Sequence, residues 1–407
     1  MPWLAQLWAT AFVGSRSAAD RAAELETGTG KYGGLESCWV GELEGRRVGA
    51  LRSYRMEMCL WGEPIPVQGL AALATMPDAR RQGVGAHLCH QGMAVGREAG
   101  LELSVLYPYR TDFYRRQGYT LAGELHRYVL PPAEFPRFPE GRTARVVDPQ
   151  RAAELLPPFY EALRPRVQGL IRRGPPLWGF LEPTPSDPPL VVVVPDPSGE
   201  GIRGYLVADL EAHSVPARAT LRVRESLAAD LSAHRALLGW ISLQRDQWGR
   251  VLYDALRGEH LERLLGHPRR HHARGARGGG LWFPSATLLR GPMLRVLNVE
   301  AILGRAGLQA GASVAVHDPA LSANSGVWRG EGGGRVTHRP LSSDDGDPAG
   351  ALGESPDSDP TAAGALPVGV LTELFLDGAL PGHADAVRAR GWSPLMGIRD
   401  FRLLNTF

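Results

Sequence analysis

No part of this chain restricts its fold more than the segment from Gly69 to Ala94. Gly69-Leu70-Ala71-Ala72-Leu73-Ala74-Thr75-Met76-Pro77 is an apolar run of buried-strand length that stops at a proline turn. Arg80-Arg81-Gln82-Gly83-Val84-Gly85-Ala86 follows, and a helical pattern, Ala86-His87-Leu88-Cys89-His90-Gln91-Gly92-Met93-Ala94, comes directly after it. Glycines lack a Cβ atom, so the backbone can approach a ligand closely and aim several N–H groups at it. The helix N-terminus adds free N–H groups and the positive end of its dipole. Strand, turn, Arg-x-x-Gly-x-Gly and helix in that order make a pyrophosphate site, with Arg80 and Arg81 as charge partners.

Two other phosphate-binding designs do not fit. A Walker loop needs Gly-x-x-x-x-Gly-Lys-Ser/Thr, and the single lysine, Lys31, lies far from these glycines. A dinucleotide fold needs Gly-x-Gly-x-x-Gly in its first strand–turn–helix unit, which is also missing. The pattern present resembles the acyl-CoA loop of the GNAT N-acyltransferase superfamily. Further on, Leu101 to Tyr107 alternates as a strand, and Phe113-Tyr114-Arg115-Arg116-Gln117-Gly118-Tyr119 is similar to that superfamily's second signature. The resemblance implies a short helix carrying a tyrosine near the CoA sulfur, which by motif position is Tyr114. A thiolate leaving group needs a proton, and a phenol within hydrogen-bond reach can supply it. Phe113 and Tyr119 read as core aromatics.

At 407 residues the chain should form two or three domains. Its 45 basic and 43 acidic residues leave a net charge of +2, which argues against nucleic-acid binding driven by bulk charge. Cys38, Cys59 and Cys89 lack metal-type spacing and read as reduced, mostly buried thiols, so no metal is expected. No apolar run reaches the roughly 18 residues of a membrane span, and the N-terminus does not read as a signal peptide. A cytoplasmic enzyme without membrane attachment is the expectation.

Met1 to Phe12 reads as an amphipathic helix, with Trp3, Leu4, Leu7 and Phe12 near helical spacing. The superfamily places a strand before that helix, so either the true start lies upstream or the sheet lacks its first strand. Cys38–Gly41 and Val48–Leu51 bracket Glu44-Gly45-Arg46 as a hairpin, whose second strand runs to Leu60. Residues 1–145 are read as one acyltransferase domain, with a linker at Pro131–Pro136. In 146–287, Pro149–Arg166 is expected to be helix, Leu190–Val194 and Ile202–Ala208 strands, and Leu227–Gln247 helix. That order faintly repeats the first domain without its glycine loop, so no CoA is expected there. The basic run Arg269–Gly275 reads as an exposed loop. In 288–407, Met293–Leu303 passes from strand to helix, 331–366 is Gly/Ser/Asp/Pro-rich and expected to be flexible, and Leu371–Leu376 and Ala384–Arg390 resume order.

Two acyltransferase-like halves followed by Met293-Leu294-Arg295-Val296-Leu297-Asn298-Val299-Glu300 resemble the Eis family of bacterial N-acetyltransferases. The resemblance implies an α/β (α+β) architecture of two tandem GNAT-like mixed-sheet domains, the second degenerate, and a sterol-carrier-like third domain. It also implies a homohexamer with acetyl-CoA in the first domain, and a C-terminal phenylalanine, here Phe407, whose free carboxylate serves as general base. In family terms, backbone N–H groups of Leu73, Ala74 and Thr75 hold the thioester carbonyl and pantetheine arm. The loop Arg80, Arg81, Gln82, Gly83, Val84, Gly85 and Ala86 holds the pyrophosphate, and Tyr109 and Arg110 flank the cofactor. A terminal carboxylate has an unperturbed pKa of roughly 3.3–3.7, low for a base at neutral pH, but it can hold an ammonium by charge and take its proton. The implied acceptor is a primary amine of a polyamine or aminoglycoside-like molecule. Tyr109-Arg110-Thr111-Asp112 departs from the family by carrying an arginine in its acidic loop. A non-enzymatic CoA- or lipid-binding protein and a protein-lysine acetyltransferase are the competing readings.

Overall fold

The computed structural model describes residues 2–13, 17–27, 34–181, 189–215, 218–266, 284–341 and 365–377. They begin with α1 (Pro2–Ala11), α2 (Ala18–Thr27), β1 (Cys38–Leu43), β2 (Arg46–Leu60), β3 (Glu63–Thr75), α3 (Val84–Glu98), β4 (Leu103–Leu106), α4 (Thr111–Arg115) and β5 (Thr120–Leu121). Next come β6 (Glu124–Leu130), β7 (Arg145–Val147), α5 (Pro149–Leu163), β8 (Leu190–Pro195), β9 (Ile202–Glu211), β10 (Thr220–Ala228), α6 (Leu231–Leu243), β11 (Arg250–Leu256) and β12 (Thr287–Arg290). The remainder holds β13 (Met293–Val296), α7 (Val299–Arg305), β14 (Ser313–His317), β15 (Gly326–Gly332), β16 (Arg335–Arg339), β17 (Leu366–Pro367) and α8 (Val368–Asp377). The chain divides into two units, Met1–Ala122 with Gly291–Phe407, and Gly123–Arg290.

The first unit is built on a sheet of order β1-β2-β3-β4-β13-β5. Only its central pair, β3 with β4, is parallel. Its two hairpins turn on Glu44-Gly45 (φ 51° and 76°) and Trp61-Gly62 (φ 53° and 82°). Paired left-handed residues give the twist that joins antiparallel strands across two residues. Leu4, Leu7 and Trp8 of α1 pack with Leu25, Ala50 and Ala74, whereas Cys89 and Met93 of α3 pack with Leu70, Leu106, Tyr114 and Tyr119. Each of these leucines, and Met93, contributes roughly 1.5–3 kcal/mol when fully buried. Cys59 and Cys89 are buried, and burial pushes the Cys89 thiol up to about 12, so it packs as a neutral apolar group.

The distal part of the chain completes this sheet. β13 lies between β4 and β5, antiparallel to both. Arg295 of β13 is fully buried and donates from Nη2 to Asp318 at 2.6 Å. Asp318 also accepts from Ala320 N, Leu321 N and Asn324 Nδ2, at 3.1, 3.0 and 2.8 Å. The guanidinium lies under the turn that ends α4: a Cβ on Gly118 (φ 82°) would stand 2.8 Å from Arg295 Nε and 2.7 Å from Val368 Cγ1. That glycine is needed both for its left-handed backbone and for this close approach. Gly118→Ala is therefore expected to destabilise the first unit by more than the ~1–2 kcal/mol of left-handed strain alone; a shift in urea midpoint measures it. A second, four-stranded sheet, β16-β15-β14-β17, belongs to the same unit.

The second unit is a seven-stranded sheet of order β12-β6-β11-β10-β9-β8-β7, with β10 and β11 parallel. Its core gathers Leu206 and Ala208 of β9, Leu221 of β10, Val251 and Tyr253 of β11, and Leu237, Trp240 and Ile241 of α6.

Several elements differ from the sequence expectations. The helix expected over Leu227–Gln247 is the end of β10 followed by α6, because Asp230 caps a helix start after the strand. β10 and β11 were not foreseen; both carry charged residues between apolar ones, and β11 buries every second residue. The first unit gives way to the second at Ala122, ahead of the boundary read at 145, and Phe135 of the proline-rich 131–136 stretch lies in the second unit's core. Residues 326–339 form the β15–β16 hairpin, so the expected flexible insert begins with an ordered strand pair. Residues 342–364, Arg269–Gly275, Ala384–Arg390 and Phe407 lie outside the described residues. Among the described residues no helix is long and apolar enough to cross a membrane, and no strand precedes α1.

Candidate active site

The central strands of the first unit part company. β3 and β4 pair in parallel only at Val67–Gly69 with Leu103–Val105. Beyond that, β4 stops at Leu106 while β3 continues to Thr75, bound to β2 on its other side. The result is a wedge along Leu70 to Thr75. A β-bulge lies within it: Ala50 pairs with Ala74 and Arg52 with Ala71, so β3 carries one extra residue, and Ala72 has φ 50°. A bulge breaks the ladder and re-aims backbone groups. The sequence held a signal of this. Leu70 and Leu73 are three apart yet join the same apolar cluster, an odd offset that strict strand alternation forbids.

From the end of β3 the chain makes one helical turn, Pro77–Ala79, and enters the arginine–glycine loop. Arg81 (φ 62°) and Gly83 (φ 81°) are both left-handed. Gly83 is the residue before α3, and no side chain caps that helix. The N–H groups of Val84, Gly85 and Ala86 therefore face outward unsatisfied by the helix. A Cβ on Gly85 would lie 3.7 Å from Thr75 Oγ1 and 3.8 Å from Phe113 Cζ, so the helix start sits against the end of β3 and against α4. Arg80 and Arg81 are exposed and make no hydrogen bond or ion pair among the described residues. The loop is braced from behind: Gln82 Nε2 donates to Asp78 O at 3.1 Å, and Asp78 pairs with Arg46 at 2.6 Å. The hydrogen bond from Arg46 holds the Asp78 carboxyl below its usual range. A helix terminus with no side-chain cap, a left-handed turn and two guanidinium groups without partners among the described residues fit a diphosphate.

Tyr114 projects from α4 into the cluster of Leu70, Cys89, Leu106 and Tyr119, with Leu73 packed against it. Its ring meets Phe113 and Tyr119 edge-on at 4.9 and 5.9 Å. Its hydroxyl has no partner among the described residues, whereas Tyr119 OH is paired with Ser104 at 2.7 Å. Burial, with Cys89 close by, pushes the Tyr114 phenol well above its ordinary pKa, so it keeps its proton. Tyr109 is 93% exposed, and Arg110 is tied to Asp112 through two bonds of 3.0 and 2.7 Å. The structure thus brings together Leu73, Ala74, Thr75, the loop 80–86 and Tyr114, and leaves the Arg110 charge occupied.

The second unit repeats the wedge but fills it. β10 pairs with β11 only over Thr220–Arg222, and its bulge falls between Val223 and Glu225. Glu225 is buried and held by Arg173 at 3.1 and 2.6 Å and by Tyr205. Only Ala229 and Asp230 separate β10 from α6. The Asp230 carboxylate accepts from Ala233 N at 2.9 Å and from Arg203 at 2.6 Å. A carboxylate of the protein itself stands where a diphosphate would bind.

A parallel strand pair opened into a wedge beside a free helix terminus defines an acyl-CoA-dependent acyltransferase fold. Comparison with known proteins carries this further. Residues 1–122 match a family described as acetyltransferase (GNAT) domain, and residues 169–296 match a second family of the same description. The chain is an acyl-CoA-dependent acetyltransferase carrying two GNAT domains in tandem. Its fold is similar along the whole chain to several solved structures. Eis1 from Mycobacterium abscessus has a TM-score of 0.74 at 18% identity, covering 100% of this chain and 96% of that one. A GCN5-related N-acetyltransferase from Anabaena variabilis has a TM-score of 0.73 at 19% identity, covering 100% and 97%. A probable N-acyltransferase from Enterococcus faecalis has 0.73 at 17%, covering 99% and 96%. No curated protein sequence matches the chain.

Proposed function

We propose that the first unit moves the acetyl group of acetyl-CoA to a primary amine of a polyamine or aminoglycoside-like acceptor, as an Eis-like enzyme. The observation that carries this is the wedge at Leu70–Thr75, with the free α3 terminus at one end and the unpartnered Tyr114 hydroxyl packed beside it. The loop Arg80–Ala86 holds the diphosphate, and N–H groups of Leu73 to Thr75 hold the thioester carbonyl. The neutral amine attacks that carbonyl, and the oxygen takes up negative charge against those N–H groups. Collapse breaks the C–S bond while the Tyr114 hydroxyl, as the general acid, hydrogen-bonds the departing sulfur. The proton the nitrogen sheds in forming the amide passes to that sulfur, so the phenol ends neutral and the products are the amide and the thiol. The terminal carboxylate of Phe407, carried over from the Eis resemblance, takes the proton the ammonium must lose. The sterol-carrier-like third domain and a hexameric assembly belong to the same proposal.

Thiol release from acetyl-CoA, screened over aminoglycosides, polyamines and a lysine peptide with an untagged C-terminus, tests it. Amine-dependent release on the polycations is the expected result. Release on the lysine peptide alone shifts the acceptor to proteins, and acetyl-CoA binding with no release on any amine refutes the proposal. One residue added after Phe407 is expected to lower turnover at least tenfold without shifting the unfolding midpoint, because it displaces the carboxylate. Full activity of that extended chain removes Phe407 from the mechanism.

A further inference from the structure

The bulge that shapes the wedge is not held by its own strand. Ala72 has a β-carbon and φ 50°, a conformation that disfavours any residue but glycine. Its carbonyl accepts a hydrogen bond from the indole Nε1–H of Trp8, on α1, at 2.8 Å. Trp8 is 2% exposed. The Arg52 guanidinium lies 5.7 Å from its ring, and Arg52 is the β2 residue that pairs beside the bulge. Leu4, Leu7, Ala50 and Ala74 pack around the indole, so it has little freedom to turn.

A trans peptide is planar, with its C=O and N–H pointing in opposite directions. Fixing the Ala72 carbonyl toward Trp8 therefore sends the N–H of Leu73 the other way. Leu73 itself packs in the Tyr114 cluster, not the Trp8 cluster. The geometry points to Trp8 as a positioning residue for acyl transfer: its indole N–H locks the Ala72–Leu73 peptide so that Leu73 N–H is aimed at the thioester carbonyl. Trp8 touches neither the acyl group nor the diphosphate. This rests on the reading that Leu73 to Thr75 bind the thioester.

The test separates aim from bulk. Trp8→Phe keeps an aromatic ring and removes the donor. Isothermal titration of the full chain with acetyl-CoA and with CoA, without amine, reads the carbonyl contact directly. The expected result is a fivefold to tenfold loss of acetyl-CoA affinity, the scale of one hydrogen bond, with CoA affinity within twofold of wild type. Turnover should fall through kcat as well, because the oxyanion loses the same donor. Adding Ala72→Gly should restore most of the loss, since glycine holds the left-handed bulge without help. Three results overturn the assignment: wild-type behaviour of Trp8→Phe, equal loss of CoA and acetyl-CoA, or no recovery in the double variant. If the wild-type chain acetylates no amine, the proposed function fails on its own, and the ratio of acetyl-CoA to CoA affinity still decides Trp8.

Discussion

Tyr114→Phe should lower kcat about 100-fold while acetyl-CoA affinity stays near wild type. General acid catalysis contributes roughly 10²- to 10⁴-fold, and the environment of Tyr114 selects the lower end. A thiol has an unperturbed pKa of about 8.5 and a phenol about 10. Burial moves Tyr114 further up, so complete transfer of its proton to a thiolate runs uphill. The phenol therefore works as a hydrogen-bond donor that strengthens as charge builds on sulfur, less than full protonation would supply. The sign for pH follows. The protonated form is the active one and its pKa is raised, so the kcat profile should show no alkaline loss from this group below pH about 10. An alkaline limb near neutrality that disappears in Tyr114→Phe would overturn this assignment, as would unchanged turnover. Affinity is spared because the ring edge contacts with Phe113 and Tyr119 need no hydroxyl.

The largest stability effect is expected at Asp318, far in sequence from the loop. Asp318 and Arg295 both have fully buried side chains. Asp318→Ala strips the guanidinium of its counter-charge in a site where Nε and Nη1 already lack hydrogen-bond partners among the described residues. Breaking a buried pair in this way costs about 3–5 kcal/mol. Two backbone N–H groups and the Asn324 amide lose their acceptor in the same step. Asn324 also accepts from Val299 N and from Arg97 Nε of α3, at 3.3 and 3.4 Å, so the disturbance reaches the last turn of α3. Urea unfolding of the first unit measures it, with Asp318→Asn as the shape-preserving control. An unfolding free energy within ~0.5 kcal/mol of wild type for Asp318→Ala, the range of an ordinary surface substitution, would show that the pair is not needed to hold β13 in the sheet.

Legibility differed between the loop and the wedge. Arg80 to Ala86 could be read as a phosphate site because proline turn, glycines and helix start are local features, each determined by a few neighbouring residues. Tyr114 could be placed by its motif, yet nothing in Phe113–Tyr119 shows that Arg295 lies beneath Gly118. The Ala72 bulge left only the odd spacing of Leu70 and Leu73, and Trp8 carried no mark of its hydrogen bond. β10 does carry a strand signal in the alternation Leu221-Arg222-Val223-Arg224, and the expected helix overlaps that strand only from Leu227 on, whereas the consecutive Val251, Leu252 and Tyr253 of β11 blur any period of two.

The sequence by itself determined the local features: in the first unit an arginine–glycine loop ahead of a helix and a phenol on a short helix, and in the second unit a helix start without such a loop. Those are short-range patterns, and short-range sterics and hydrogen bonding suffice to shape them. Only the tertiary structure decided that β3 and β4 open after Gly69, that Trp8 holds the bulge, and that Met293–Val296 joins a sheet begun at Cys38. It also decided that Arg173 and Tyr205 close on Glu225 in the second wedge and that Arg203 closes on Asp230. These are pairings between residues tens to hundreds of positions apart, chosen by which surfaces bury together, and no local pattern records them.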